Sequence, residues 1–171
     1  MNNETTTHAL ELLRSQHDEV EDLIEDIEDA GDPDAKQALF LELADKVAAH
    51  AMIEEKMFYP SVMEEQTHAQ LIEATEEHLA IKRLLADMMA LDVEDEHFDA
   101  KLKVLKENLR HHAHDEEEDK LFPIVEQMMS DDELAALGNE MLAMFEMLLE
   151  REPRKQVPSE TAMAVELQPM A

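Results

Sequence analysis

His50-Ala51-Met52-Ile53-Glu54-Glu55-Lys56-Met57-Phe58-Tyr59-Pro60 and, later, His112-Ala113-His114-Asp115-Glu116-Glu117-Glu118-Asp119-Lys120-Leu121-Phe122-Pro123 are two versions of one pattern. In each, a histidine and a glutamate four residues on share one face of a helix. Val47, Ile53, Met57 and Val62 continue the first stripe; Leu105, Leu109, Leu121, Ile124 and Met128 continue the second. That spacing of three and four belongs to an amphipathic helix. Both stretches therefore read as helices that turn an imidazole and a carboxylate toward a core.

Working outward, the rest of the chain repeats the same period. Leu10, Leu13, Val20, Ile24 and Ile27 mark a first helix from about Thr7 to Asp29. Gly31-Asp32-Pro33 breaks it, Asp32 capping the second helix and Pro33 fitting its first turn. This second helix is expected to reach about Glu65, with a kink at Pro60. A third follows the turn at Gln66-Thr67 and ends near Leu91-Asp92, with Leu71, Ile81, Leu85 and Met88 on its stripe. The fourth runs from Phe98 to Met128, Pro123 repeating the role of Pro60. Ser130-Asp131-Asp132-Glu133 has the form of a capping box and opens a fifth helix, ending near Arg151, that should pack outside the bundle.

Short connections between long helices imply antiparallel neighbours. The expected fold is all-α, an up-down-up-down four-helix bundle with an additional C-terminal helix. Residues 1–151 read as one metal-binding domain. Residues 152–171, with Pro153, Pro158 and Pro169 and no helical period, read as a disordered tail.

Composition agrees and narrows function. Among 171 residues there are only 2 Gly and 6 Pro, and helix formers dominate. A formal net charge of -29 repels nucleic acid and an anionic membrane surface alike. With 0 Cys, any metal must be held by imidazole, carboxylate or water. The start, Met1 to Thr5, lacks a basic or apolar leader, and no apolar run approaches the roughly 20 residues that span a bilayer. A cytoplasmic protein is the default expectation.

Each long helix also carries a histidine where its stripe calls for Leu or Val: His17, His50, His78 and His112. Measured from the turns at about 1.5 Å per residue, the four fall near a common height. One such histidine alone is usually a hydrogen-bonded core residue. Four of them with two inward carboxylates are different, since each unpaired buried polar group costs on the order of 1 to 3 kcal/mol. A pair of cations resolves the conflict, and mixed nitrogen and oxygen ligation suits iron or manganese. His8, His68 and His97 lie near helix starts or turns and read as solvated, while His111 and His114 flank the site off its stripe. Glu21, four residues after His17, is a candidate extra ligand.

These elements make the chain resemble the hemerythrin-like, or HHE cation-binding, family over about Leu10 to Met129. The resemblance rests on His17, on His50-xxx-Glu54-Glu55-xx-Phe58-Tyr59-Pro60, on His78, and on His112 followed by Glu116-Glu117-Glu118-xx-Leu121-Phe122-Pro123. It implies two iron ions in an oxo- or hydroxo-bridged di-iron centre, with His17, His50, His78 and His112 as terminal ligands. Glu54 with Glu116 or Glu117 would bridge them. It further implies a small-molecule partner, dioxygen, nitric oxide or peroxide, that is bound, sensed or detoxified. An enzyme decomposing peroxide or reducing nitric oxide, and an iron-dependent interaction module using the tail, are the alternatives.

Two departures from the family pattern matter. Oxygen-carrying members have a second histidine one turn from the first in helix three, whereas Ala74 and Lys82 stand four residues either side of His78. The resulting gap invites Glu21 or Tyr59. The second departure is register: Glu54 lies six residues before Pro60, but the residue six before Pro123 is Glu117, not Glu116. Either Glu116 faces the site on a regular helix, or a one-residue π-bulge brings Glu117 there.

Overall fold

The computed structural model describes residues 7–169, and all regular structure among them is helical. Residues 1–6, including the stretch read as lacking a leader, and 170–171, the end of the expected tail, lie outside the described residues.

Helix α1 spans Ala9–Asp29. Helix α2 spans Pro33–Ile53 and continues through a π-helical turn, Glu54–Phe58, into a last turn, Tyr59–Ser61. Helix α3 covers His68–Met89. Helix α4 covers Glu96–Arg110 and continues through π-helical His111–Leu121 and α-helical Phe122–Met128. Helix α5 is Asp131–Leu149.

Side chains at the boundaries fix these limits. The Asp32 carboxylate accepts from the Ala35 N–H at 3.1 Å, and that of Asp95 from the His97 N–H at 2.8 Å. Ser130 and Glu133 close the expected reciprocal capping box. The first four helices form the up-down-up-down bundle: α1 packs on α2, α3 on α4, and α5 lies across α1 and α2. Among the described residues no helix is long and apolar enough to cross a membrane.

The prolines act differently from the expected kink. Helix α2 ends at Ser61 rather than near Glu65, and the irregularity falls one turn earlier. There the Tyr59 N–H bonds to the Glu54 carbonyl, five residues back. In α4 the Phe122 N–H likewise bonds to the Glu117 carbonyl. Each wide turn closes on the residue just before a proline, opening the helix where the ring would crowd the preceding turn.

The apolar core is in two parts. Leu10, Leu13, Ile53, Phe58, Phe122, Val125, Leu134 and Met141 belong to one cluster. Ile24, Ile27, Phe40, Leu43, Leu85, Phe98, Leu102 and Leu105 belong to the other. Along each of α1 to α4 the chain passes from one cluster to the other at or directly beside a histidine. His17 lies between Leu13 and Val20, and His78 between Ala74 and Ile81. The two clusters thus enclose a polar layer.

The segment expected as a disordered tail is instead packed. Pro153–Glu160 form a 3-10 helix whose Val157 is buried in the second cluster. Leu167 is buried in the first. Glu152, at φ 50°, makes the left-handed step that starts this strap. The Arg154 guanidinium then donates to Asp45 Oδ2 at 2.6 Å, and Arg83 Nε to the Thr161 carbonyl at 2.9 Å. Proline removes helical period without removing anchors, and Arg154, Val157 and Leu167 supply them.

Gly138 permits a close approach between α5 and the backbone that leads into α1. A Cβ there would sit 2.0 Å from the Thr7 carbonyl oxygen and 2.6 Å from the Ala9 nitrogen, both backbone. Gly138→Ala is therefore expected to lower stability by about 1 to 3 kcal/mol. Urea unfolding measures this, and an unchanged midpoint would mean that α5 moves away at no cost.

Candidate metal centre

The polar layer gathers His17, His50, His78, His112, Glu54 and Glu117, all buried. Glu54 Oε1 lies 3.1 Å from His50 Nε2 and 3.2 Å from His78 Nε2. Glu117 Oε1 lies 3.3 Å from His17 Nε2 and 3.2 Å from His112 Nε2. Each carboxylate thus spans one imidazole of its own helix and one from another helix, Glu54 reaching across to α3 and Glu117 to α1. The π turns account for this placement, since they put Glu54 and Glu117 in equivalent positions ahead of their prolines.

Of the two glutamates left open by the sequence, the geometry brings in Glu117 and leaves out Glu116. Glu116 Oε1 pairs instead with Lys120 Nζ at 2.8 Å. Glu21 also stays out, its Oε1 held by His114 Nε2 at 2.6 Å. His111 and His114 point away from the layer, toward Glu77 and Asp115 and toward Glu21 and Glu118.

Two groups of donors could each hold a cation: His17, His50, Glu54 and Glu117, and then Glu54, His78 and His112. Glu54 is common to both. In each group the donor atoms lie within 4.8 Å of one another. His17 Nε2, His50 Nε2, both Glu54 oxygens and Glu117 Oε1 are buried with no hydrogen-bond partner among the described residues. His78 Nε2 and His112 Nε2 face each other at 3.0 Å. Buried lone pairs aimed at one another and at anionic oxygens require a positive charge between them.

The opposite ring nitrogens face acceptors. His17 Nδ1 is 3.1 Å from Glu118 Oε2, His50 Nδ1 2.6 Å from Gln16 Oε1, and His112 Nδ1 3.0 Å from Glu77 Oε1. The amide oxygen of Gln16 can only accept, so it selects the Nδ1–H tautomer and leaves Nε2 as a free lone pair. This is the outer support usual for imidazole ligands. The links form a circuit: α1 supports the histidine of α2, α3 that of α4, and α4 that of α1. The sequence reading missed Gln16, Glu77 and Glu118, although each is the immediate neighbour of an inward residue: His17, His78 and Glu117.

Tyr59 completes the layer. Its hydroxyl donates to Glu117 Oε2 at 3.0 Å and lies 3.4 Å from both His78 Nε2 and His112 Nε2. Burial, then the nearby Glu117 and Glu54 carboxylates, push the phenol well above its ordinary range, so the metal-free chain keeps it protonated. Its ring stacks on His78, as Phe122 stacks on His17.

Residues 8–125 match the Hemerythrin HHE cation binding domain family. The chain belongs to that family. In structure the HHE domain described here is similar to the crystal structure of a Hemerythrin HHE cation binding domain-containing protein, an Rv2633c homolog from Mycobacterium kansasii. The two share 24% identity at a TM-score of 0.75, over 90% of this chain and 94% of the other. It is also 25% identical over 133 residues, 78% of this chain, to a DNA nickase of Nostoc sp. (strain PCC 7120 / SAG 25.82 / UTEX 2576). That match spans 38% of the nickase. The family and the His/Glu cluster together make this a metal-binding domain.

Electrostatics show what the site does without metal. Burial pushes His17 down, but hydrogen bonding to Glu117 and Glu118 outweighs it and raises His17 to about 9 from 6.5. His112 is raised by Glu117 in the same way against its burial. Burial would raise Glu54, yet His50 and the other facing imidazoles hold it well below the usual carboxylate range. In the metal-free chain, protons supply the missing positive charge. A folded-state pKa above the unfolded one stabilises fully below the unfolded value. The metal-free domain should therefore lose His17-linked stability as pH rises from about 6.5 through about 9. Thermal midpoints taken across that window check it, and a flat or rising profile would contradict it.

Proposed function

We propose that this HHE domain binds two iron ions, one in each donor group with Glu54 shared, and that the pair takes up dioxygen, nitric oxide or peroxide. The observation carrying this reading is the set of unpartnered, fully buried Nε2 and Oε atoms converging from α1, α2 and α4, beside the facing Nε2 atoms of His78 and His112. The donor set fits iron: neutral imidazole and carboxylate, no thiolate, and too few groups to saturate two octahedral ions. When bound, the irons would supply reversible redox and open coordination positions for a small ligand.

The chain's own residues support a small ligand specifically. Beside the Nε2 layer lie two cavities of about 30 and 20 Å³. Val47 and Leu109 line both, and each is closed at the layer by His50 and His112. Such spaces hold about one water-sized molecule and exclude an organic substrate. With a net charge of -29 the domain is set against DNA, so the activity named for the nickase relative is not carried over.

One feature favours turnover over storage. The donor group of His78 and His112 is poorer by one residue, and Tyr59, the one tyrosine of the chain, stands beside it. We infer that Tyr59 fills the place of the missing histidine, either as a ligand or as an O–H held ready on Glu117. A partner-docking tail has less support, because the strap packs against α2 and α3.

Stopped-flow mixing of the anaerobic ferrous protein with dioxygen, nitric oxide or peroxide tests the reading. Dioxygen should develop near-ultraviolet bands of ferric iron, and peroxide consumed beyond one equivalent per centre marks catalysis. Tyr59→Phe should keep both irons, and any tyrosinate-to-iron absorption in the visible should vanish. Unchanged spectra on all three additions would overturn the proposal.

A further inference from the structure

One buried cation, Lys82, lies outside both donor groups. Lys82 stands on α3 one turn after His78, with its side chain 8% exposed. Its ammonium donates to Glu55 at 2.6 Å and 3.1 Å, one contact to each oxygen. Glu55 is itself buried and follows Glu54 directly. On a regular helix, successive side chains diverge by about 100°. Both are nevertheless buried here, at the start of the π-helical turn.

Together Glu54 and Glu55 bracket one imidazole. Glu54 Oε1 is 3.2 Å from His78 Nε2, and Glu55 Oε1 is 3.5 Å from His78 Nδ1. This is the missing fourth link of the circuit, α2 supporting the histidine of α3. It is also the loosest: the other three Nδ1 contacts are 3.1, 2.6 and 3.0 Å. His78 Nδ1 has no hydrogen-bond partner among the described residues. The oxygen nearest to it is the one Lys82 holds at 2.6 Å.

A buried ion pair adds little net stability, because desolvation offsets its attraction. A role beyond folding is therefore worth assigning. We propose that Lys82 and Glu55 are positioning residues for His78. Lys82 anchors Glu55, Glu55 fixes the imidazole so that its Nε2 stays on Glu54, and the pair thereby sets the affinity of the Glu54–His78–His112 half for its metal. The C-terminal strap closes the arrangement from outside, with Glu160 Oε2 3.3 Å from Lys82 Nζ. The inference rests on the reading that this half receives an ion.

Anaerobic calorimetric titration of the metal-free full chain with Fe²⁺ alone tests it. Wild type should bind two equivalents. Glu55→Gln and Lys82→Met should each weaken one equivalent by about 10- to 100-fold, the usual effect of losing an outer partner. The other equivalent should be unchanged. Lys82→Arg, which keeps the charge, should restore most of the loss. If both variants bind two equivalents as wild type does while their metal-free melting falls, the pair is only structural and the proposal is overturned. If Lys82→Met fails to fold, Glu55→Gln, which keeps the side-chain volume, decides alone. A wild type that binds fewer than two equivalents removes the two-iron reading itself, a failure visible before any variant is made.

Discussion

The bundle is organised around an unfavourable interaction. Four imidazoles and two carboxylates occupy its middle at a few per cent exposure, dividing the hydrophobic core into two clusters. Nothing in apolar packing favours that division, and each unsatisfied group costs on the order of 1 to 3 kcal/mol. The layer is tolerable only if positive charge enters it. Protons serve in the metal-free chain, as the raised His17 and His112 indicate. Cations serve better, since one ion satisfies several lone pairs at once and the carboxylates remain ionised.

The rest of the fold follows from keeping that layer in register. Pro60 and Pro123 end the two repeats, and the wide turns before them set Glu54 and Glu117 at equivalent places. Outer partners then lock the rings across helix boundaries, so that no helix rotates without disturbing a neighbour's imidazole. The two halves are alike in plan and different in detail. Tyr59 and Phe122 stack on His78 and His17 from matching positions, but only Tyr59 carries a hydroxyl. Lys82 has no counterpart at the other half, and there the fourth protein donor is Glu117.

Much of this was legible in the sequence because it is periodic. The five helices, the inward histidines, Glu54 and the Ser130–Glu133 box all follow from a period of 3.6 and standard capping chemistry. Glu116 and Glu117 could not be separated that way, because a change of register is a backbone event that leaves composition untouched. The hint was the fixed six-residue distance from Glu54 to Pro60 and from Glu117 to Pro123. The outer partners were hidden for another reason: Gln16, Glu77 and Glu118 sit beside inward residues, where period alone assigns them to solvent. The strap is not legible in the sequence because prolines mask a segment whose order comes from isolated anchors such as Arg154 and Val157.

The central claim is that cations, two of them and sharing Glu54, occupy the polar layer. X-ray anomalous scattering at the iron edge, from crystals of protein loaded with ferrous iron, tests it most directly. The account predicts two peaks in the layer, one beside His17 and His50 and one beside His78 and His112, with the Glu54 carboxylate between them. A single peak, or iron only on the acidic surface, would contradict it.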